Sequence, residues 1–317
     1  MRRPLRRMAD RVNEGLVPRV AEENREKPRP VVKWAGGKSK LVDKLLEWMP
    51  EKIDTYVEPF CGGAAVFFAL AAKRGFKRAI LNDRNAELVA CYSAIKSEPE
   101  TLVARLRRYE KEYFRLTEEK RAEYYYAVRA NHHETKDVER GARLLFLNKT
   151  CFNGLWRVNA SGKFNVPFGR YDHPKVLDED VIRAAHVALK GVKLRNEDFA
   201  KAVGKRKPTD FVYFDPPYVP LSRTANFTAY ASDGFGKKDQ ERLGKLLRDL
   251  HVQGVPALLS NARSPETEEL YGDFHWRAVP MPRSINSNPG KRGEVEELVV
   301  FNIPASKSAK GWLRTGT

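Results

Sequence analysis

Cysteine is scarce in this chain. Its 317 residues include three, Cys61, Cys91 and Cys151. An odd count with no CxxC spacing speaks against a disulfide framework and against a thiolate zinc site, and it fits a reducing cytoplasm. Long apolar runs are missing too. None approaches the ~20 residues of a membrane span, so no segment that crosses a membrane is expected. The opening "MRRPLRRMAD" is basic, but no apolar stretch follows it, so no secretory signal is expected. Acidic residues are outnumbered: 41 Asp+Glu stand against 58 Lys+Arg, a formal net charge of +17. That imbalance bears on partners rather than fold. It points to an acidic polymer such as nucleic acid, with a membrane surface as the alternative.

What is present has a clear order along the chain. Residues 1–30 hold nine Arg/Lys, five acids and four prolines without a sustained apolar period, and read as a flexible basic arm. From "VVKWAGGKSK" the chain looks folded. "TYVEPF" reads as a strand running into the glycine turn and apolar helix of "CGGAAVFFALAAKRG". "RAILND" is a second strand, and "NAELVACYSAIKS" a second helix. Strand–helix alternation of this kind predicts a parallel α/β sheet. It breaks off over about 101–184, where charged helical stretches precede two short strand-like runs flanking Asn159-Ala160-Ser161-Gly162, a hairpin signal. It then resumes with "GVKLRNEDF", "DFVYFDPPYVP", the helix "KKDQERLGKLLRDLHVQG" and the strand "VPALLSN". "DFHWRAVPM" and "EVEELVVFN" close the sheet as an antiparallel pair. The expectation is a doubly wound, mostly parallel Rossmann-like sheet, formed by 31–100 and 185–303, with an inserted helical and hairpin recognition unit at 101–184 and a tail at 304–317.

Three places carry chemistry. Gly62 and Gly63 lie between a strand and a helix, where backbone can approach a ligand at a helix N-terminus. Asp83 ends the next strand, at the spacing where an acid meets ribose hydroxyls. It reads equally as an N-cap for a helix starting at Arg84. Gly37-Lys38-Ser39 resembles the tail of a P-loop, but position 32 is Val where that pattern requires Gly, so ATP is set aside. Trp34 and Lys38 suit stacking and carboxylate binding; a packed Trp with a solvated Lys is the plain alternative. In "FDPPY", Asp215 sits at the carboxyl end of a strand. Pro216 and Pro217 remove two N–H donors, so carbonyls and a carboxylate dominate beside the Tyr218 ring. Such a site accepts hydrogen bonds and suits a planar group bearing NH₂; otherwise it is an ordinary turn with a capping acid. Between Lys149 and Tyr171 four basic residues and no acid occur among aromatics, which fits a base-reading hairpin or a solvated basic one. The acid-free segment 216–232 could track phosphates.

Taken together, "KWAGGK", "VEPFCGGAAVF", "LND", "FNGLWRVNASGKFNVPFGRY", "FDPPYVPLSRTANFTAY", "LLSN" and "RSINSN…VEELV" resemble the Dam-type DNA adenine-N6 methyltransferases of the alpha class, from about Val31 to Asn302. The resemblance implies S-adenosylmethionine as methyl donor, double-stranded DNA as partner, a flipped-out adenine as target and GATC as the site, with no metal and a monomeric, nucleoid-associated enzyme. By position it implies cofactor binding at Trp34, Lys38, Glu58, Phe60, Gly62, Asp83, Asp198, Phe199 and Asp215. It implies catalysis at Asp215, Pro216, Pro217 and Tyr218. It implies DNA contact at Lys33, Phe152, Asn153, Leu155, Arg157, Pro167, Arg170 and Tyr171. An RNA adenine-N6 or guanine-N2 methyltransferase, or a DNA-binding relative without turnover, are the alternatives. Both a solitary role and one paired with a restriction enzyme fit. This chain departs from the family at Ala64, where an F-x-G-x-G turn has Gly, and at Phe152, where Tyr is usual. "LNKTCFNG" also differs, and the arm has no counterpart.

Overall fold

The computed structural model describes residues 26–38, 41–73, 75–218, 235–282 and 294–302. Residues 1–25 of the expected arm, positions 219–232 and the tail from 304 lie outside them. In chain order the elements are α1 (Val42–Glu47), β1 (Ile53–Glu58), α2 (Ala65–Ala72), β2 (Phe76–Asn82), α3 (Ala86–Ser97), α4 (Pro99–Phe114), α5 (Glu118–Ala130) and α6 (Asp137–Thr150). They continue with α7 (Glu179–Leu189), β3 (Lys193–Arg195), α8 (Phe199–Val203), β4 (Phe211–Phe214), α9 (Lys237–Val252), β5 (Ala257–Ala262), α10 (Pro265–Leu270), β6 (His275–Pro282) and β7 (Glu294–Phe301).

The seven strands form one sheet in the order β3-β2-β1-β4-β5-β7-β6. The first five are parallel. β7 runs antiparallel between β5 and β6. This is the mostly parallel Rossmann-like arrangement that the strand–helix alternation predicts. Successive residues of a strand face opposite sides of a sheet, and the core divides accordingly. Tyr56, Tyr213, Leu258 and Val299 join one cluster, covered by α1 to α7. Val57, Val212, Phe214, Leu259, Leu298 and Val300 join the other, covered by α8 to α10. Burial on both sides is why β4 reads as a continuous apolar run, all four residues buried.

The helices start where local chemistry dictates. The side chain of Asn85 accepts from the Glu87 and Leu88 N–H groups and caps α3. Asp83, expected as one possible cap of a helix at Arg84, stands outside: it accepts from the Asn85 N–H at 2.9 Å and leaves the capping to Asn85. Ser264 and Thr267 cap α10 reciprocally.

The segment 101–184 holds α5 and α6 whole; its expected limits fall inside α4 and α7. Tyr113, Tyr125 and Phe146 continue the core of the first sheet face. The hairpin around Asn159-Ala160-Ser161-Gly162 is a tight antiparallel turn with single bridges, Val158 to Phe164 and Cys151 to Phe168. The Asn159 side chain accepts from the Ser161 and Lys163 N–H groups and holds the turn. Residues 26–30 are tied down at Arg29, which pairs with Asp178 at 3.1 Å. Among the described residues no helix is long and apolar enough to cross a membrane.

Candidate active site

Parallel strands deliver their carboxyl ends to one edge of the sheet. Glu58 is the last residue of β1, Asp83 follows β2, Asp198 follows β3 and Asp215 follows β4. Side chains at such an edge face a crevice where ligands of open α/β sheets bind.

Asp215 is at its centre. Its Oδ1 accepts from the Lys38 ammonium at 2.6 Å. The lysine is not solvated: only 3% of its side chain is exposed, and it also donates to the Gly36 carbonyl at 2.9 Å. A second carboxylate, Glu297 of β7, lies 3.4 Å from the same ammonium. Burial alone would lower the lysine's pKa; the charges of Asp215 and Glu297 hold it above its ordinary value. Burial pushes Asp215 up to about 6, with Lys38 pulling it down and Glu297 pushing it further up. The Tyr218 hydroxyl donates to Glu297 Oε1 at 2.8 Å, and its ring centroid is 4.9 Å from the Lys38 nitrogen. The Pro217 carbonyl accepts from Gln240 Nε2 at 3.0 Å. Among the described residues no donor reaches the Pro216 carbonyl.

Glu58 is buried and turned back into the protein. It accepts from the Tyr56 hydroxyl at 2.9 Å and faces the Phe67 N–H at the start of α2, which favours its charged form. The carboxylate thus serves a helix start that has no side-chain cap of its own. Burial pushes its pKa up to about 8 against the Tyr56 hydrogen bond, helped by the nearby Asp215 charge.

The glycine turn is shaped from two sides. The Gly62 N–H donates to Asp83 Oδ2 at 2.9 Å. Gly62 has φ +46°, and a Cβ there would stand 2.8 Å from Trp34 Cδ1, so this position admits no larger residue without displacing the indole. Ala64, where the family pattern has Gly, adopts φ 53°. A left-handed L-residue costs about 1–2 kcal/mol, so the replacement is tolerated at a cost rather than free. Trp34 is a packed residue: it stacks on Trp156 with centroids 5.8 Å apart. Further along the edge, Phe60, Phe199 and Phe235 form an aromatic corner with centroids 5.3–5.9 Å apart. Asp198 caps α8 through the Ala200 N–H and accepts from Arg242 at 2.9 Å. Burial would raise the Asp198 pKa, but these donors hold it below its ordinary value. Acids, small glycines and an aromatic corner in one row suit a ligand with a cationic centre, hydroxyls and a flat ring.

Of the eight positions expected at the DNA, seven lie within 152–171 and the eighth, Lys33, stands beside Tyr171. The Phe152 N–H donates to the Pro167 carbonyl at 2.9 Å, and Gly169 to Thr150 at 2.8 Å, which brings the two arms together. Lys33 lies 5.9 Å from the Tyr171 ring. Phe152, an apolar ring, is 49% exposed. Asn153 and Arg170 adopt positive φ, 55° and 49°. Leu155 is half-buried beside them. Arg157 donates through Nε to Asn165 Oδ1 at 2.8 Å.

Three residues were not singled out from the sequence. Gln240 lies beneath the Pro217 carbonyl, Glu297 beneath Tyr218. Buried Asn148 of α6 clamps Lys33 and Gly154: it accepts from the Lys33 N–H and donates to the Lys33 and Gly154 carbonyls. For Asn148 the available signal was a polar residue in the apolar run "LFLNKT"; Glu297, after Glu296, and Gln240, in "KKDQERLG", carry no such signal. Among the described residues no group of three or more His, Cys, Asp or Glu side chains is arranged to hold a metal ion.

Comparison with known proteins shows the family. The family model of the D12 class N6 adenine-specific DNA methyltransferases matches residues 34–285. The type II methyltransferase M1.LlaDCHI of Lactococcus lactis subsp. cremoris is 39% identical over 290 residues, covering 89% of this chain and 98% of its own length. The type II methyltransferase M.MjaIII of Methanocaldococcus jannaschii is 40% identical over 285 residues, covering 86% and 99%. The DNA adenine methylase of Escherichia coli K12 is 37% identical over 280 residues, covering 88% and 97%.

Proposed function

The chain belongs to the D12 class of N6 adenine-specific DNA methyltransferases, and from that premise we propose that it methylates N6 of a flipped-out adenine in double-stranded GATC sites, using S-adenosylmethionine. The observation that carries this reading is the acceptor pair at the end of β4. The Asp215 carboxylate is held at the edge of the sheet, next to a Pro216 carbonyl that no described donor reaches, and beside the Tyr218 ring.

S-adenosylmethionine, when bound, supplies a methyl group on a positively charged sulfur. The residues fit such a ligand: Asp83 and the Gly62 turn for its ribose, the Phe60, Phe199 and Asp198 corner for its base, Lys38 for its carboxylate, Trp34 behind the turn. Glu58 acts from the second row by fixing the start of α2.

Acceptance of both amine hydrogens by Asp215 and Pro216 turns the N6 lone pair away from the ring, making the nitrogen a better nucleophile. Asp215 can then take the proton that N6 sheds. Tyr218 offers the flipped base an aromatic face. Extruding a base costs a few kcal/mol, and exposed Phe152 is placed to fill the gap. Lys33, Asn153, Leu155, Pro167, Arg170 and Tyr171 form the surrounding duplex contact, with Arg157 reading a base. In this reading the segment 101–184 is the recognition element, the sheet is the methyl-transfer element, and the basic arm adds non-specific affinity for DNA.

The test offers labelled S-adenosylmethionine to GATC duplexes, to duplexes without GATC and to RNA, followed by nucleoside analysis. The expected product is N6-methyladenine in the GATC duplex alone. Label in RNA, or in guanine, would overturn the substrate. GATC duplexes still resistant to a methylation-dependent endonuclease after prolonged incubation with active enzyme would overturn the site.

A further inference from the structure

Reading residues 215–218 as the site of the target amine, we propose that Glu297 is a positioning residue for methyl transfer. Its carboxylate fixes the Tyr218 ring and offers Lys38 a second acceptor, so that Asp215 is released to the amine.

Glu297 lies in β7 opposite Ala262 of β5. Its neighbour Glu296 points outward to Arg263, and Leu298 is buried. Glu296 and Leu298 share the face covered by α8 to α10, so strand alternation puts Glu297 on the opposite face with Val299, where it is 7% exposed. A buried carboxylate is strongly unfavourable unless paired and hydrogen-bonded. The sheet does not require one here, because the register of β7 is set by its backbone pairing with β5 and β6. What the carboxylate contacts is the catalytic motif. One oxygen, Oε1, accepts from the Tyr218 hydroxyl at 2.8 Å and stands 3.4 Å from the Lys38 ammonium.

Both contacts matter to Asp215. Lys38 holds Asp215 Oδ1 at 2.6 Å, and so competes with the amine for that oxygen. An ammonium with a single acid partner would stay there. With Glu297 at 3.4 Å, a shift of about half an ångström gives Lys38 a full hydrogen bond elsewhere. The Tyr218 ring, meanwhile, is anchored by its hydroxyl and cannot swing away from the base it is to face. The ionisable groups around Asp215 are Lys38 ahead of α1, Glu58 of β1, Tyr213 of β4, Tyr218 and Glu297 of β7. Within this set Lys38 is the cation and Glu297 the acid that shares it.

The experiment is single-turnover methylation of a GATC duplex, with cofactor and DNA saturating, from about pH 5 to about pH 9. It compares wild type, Glu297→Gln, Tyr218→Phe and the double variant. Glu297→Gln keeps an oxygen for the tyrosine but removes the charge. Its rate should fall about 10- to 100-fold, the scale of a hydrogen bond to a charged group. Dissociation constants for DNA and cofactor should change less than about threefold. The acid limb should move to lower pH, because the charge that pushes Asp215 up is gone. Tyr218→Phe should slow the step less, and the double variant should lose less than the product of the two single losses. Full rate with an unmoved acid limb in Glu297→Gln, or simply multiplied losses in the double variant, would overturn the role. If Glu297→Gln does not fold, Tyr218→Phe decides. It removes the shared hydrogen bond and leaves ring and charge in place, so an unchanged rate overturns the inference. A wild type that methylates no adenine brings down the amine-site reading itself; an active wild type with an indifferent Glu297→Gln brings down this inference alone.

Discussion

The Lys38 ammonium sits 2.6 Å from Asp215 Oδ1, in surroundings that leave only 3% of the lysine side chain exposed. This pairing sets the charge state of the group that must accept the target amine. Burial pushes Asp215 up to about 6, and Lys38 opposes that push. Only the carboxylate form can also take the proton that N6 sheds, so kcat/KM, which reports the free enzyme, should fall about tenfold per pH unit below about pH 6. Lys38→Met removes the opposing charge and should move this limb to higher pH. An acid limb at the same pH in both proteins would detach Asp215 from the profile.

Asp215→Ala should slow saturated single-turnover methylation by about 10²–10³-fold, by analogy with removing one preorganised polar group. Asp215→Asn should be severely slowed as well, because its amide carries no charge and can present NH₂ to NH₂. Duplex binding should survive in both, since the contacts of Asp215 involve Lys38 and none of the residues around Phe152 and Arg157. Near-normal rates in both variants would leave Asp215 a structural residue.

Glu58 makes a prediction about stability. Burial raises its carboxyl from 4.5 to about 8. Folding therefore strengthens proton binding, and the contribution is complete below about pH 4.5 and lost as pH rises through about 8. The slope can reach about 1.4 kcal/mol per pH unit within that window. Asp215 acts with the same sign up to about pH 6. Glu58→Gln keeps an acceptor for Tyr56 and Phe67 but has no charge to bury. Its urea midpoint should change less between about pH 5 and about pH 8, and at the upper end should exceed that of wild type. Parallel midpoint curves for the two proteins would refute the buried-charge account.

Much of the sheet was legible because its strands are buried runs ending in acids. β1, β2 and β4 each end at or beside a carboxylate, and the glycine turn after β1 marks where backbone must come close. The antiparallel pair β6 and β7 was legible as two strand-like runs joined by the polar stretch "PRSINSNPGKRG". Glu297 was not. Its meaning depends on β7 inserting beside β5, which places it against Tyr218, 79 residues away in the chain. Gln240 likewise looks like any polar residue of an amphipathic helix until α9 packs under the Pro217 carbonyl. Lys38 reads equally as solvated or buried from local pattern, because its burial comes from contacts with β4 and β7. Asp83 was read as a possible cap because acids favour helix starts; Asn85, two residues on, takes that place.

Arg157 is preset for its proposed contact. Its Nε donates to Asn165 Oδ1 at 2.8 Å and its Nη2 to the Asn165 carbonyl at 3.4 Å, across the turn at 159–162. One edge of the guanidinium is thereby fixed, while the side chain remains exposed. A guanidinium held this way can bond bidentately to guanine O6 and N7, which carries about 1–3 kcal/mol of discrimination. Arg157→Ala should therefore relax selectivity at one guanine of the site more than it weakens binding to unrelated duplexes. Arg157→Lys should behave similarly, because an ammonium cannot make the paired contact. Asn165→Ala removes the Nε contact and keeps the one to the backbone carbonyl, and should reduce discrimination at the same guanine by a smaller factor. The measurement is kcat/KM on a panel of duplexes with each base pair of GATC replaced in turn, repeated at two salt concentrations. A uniform loss across the panel, with a shallower salt dependence than wild type, would reassign Arg157 to a phosphate.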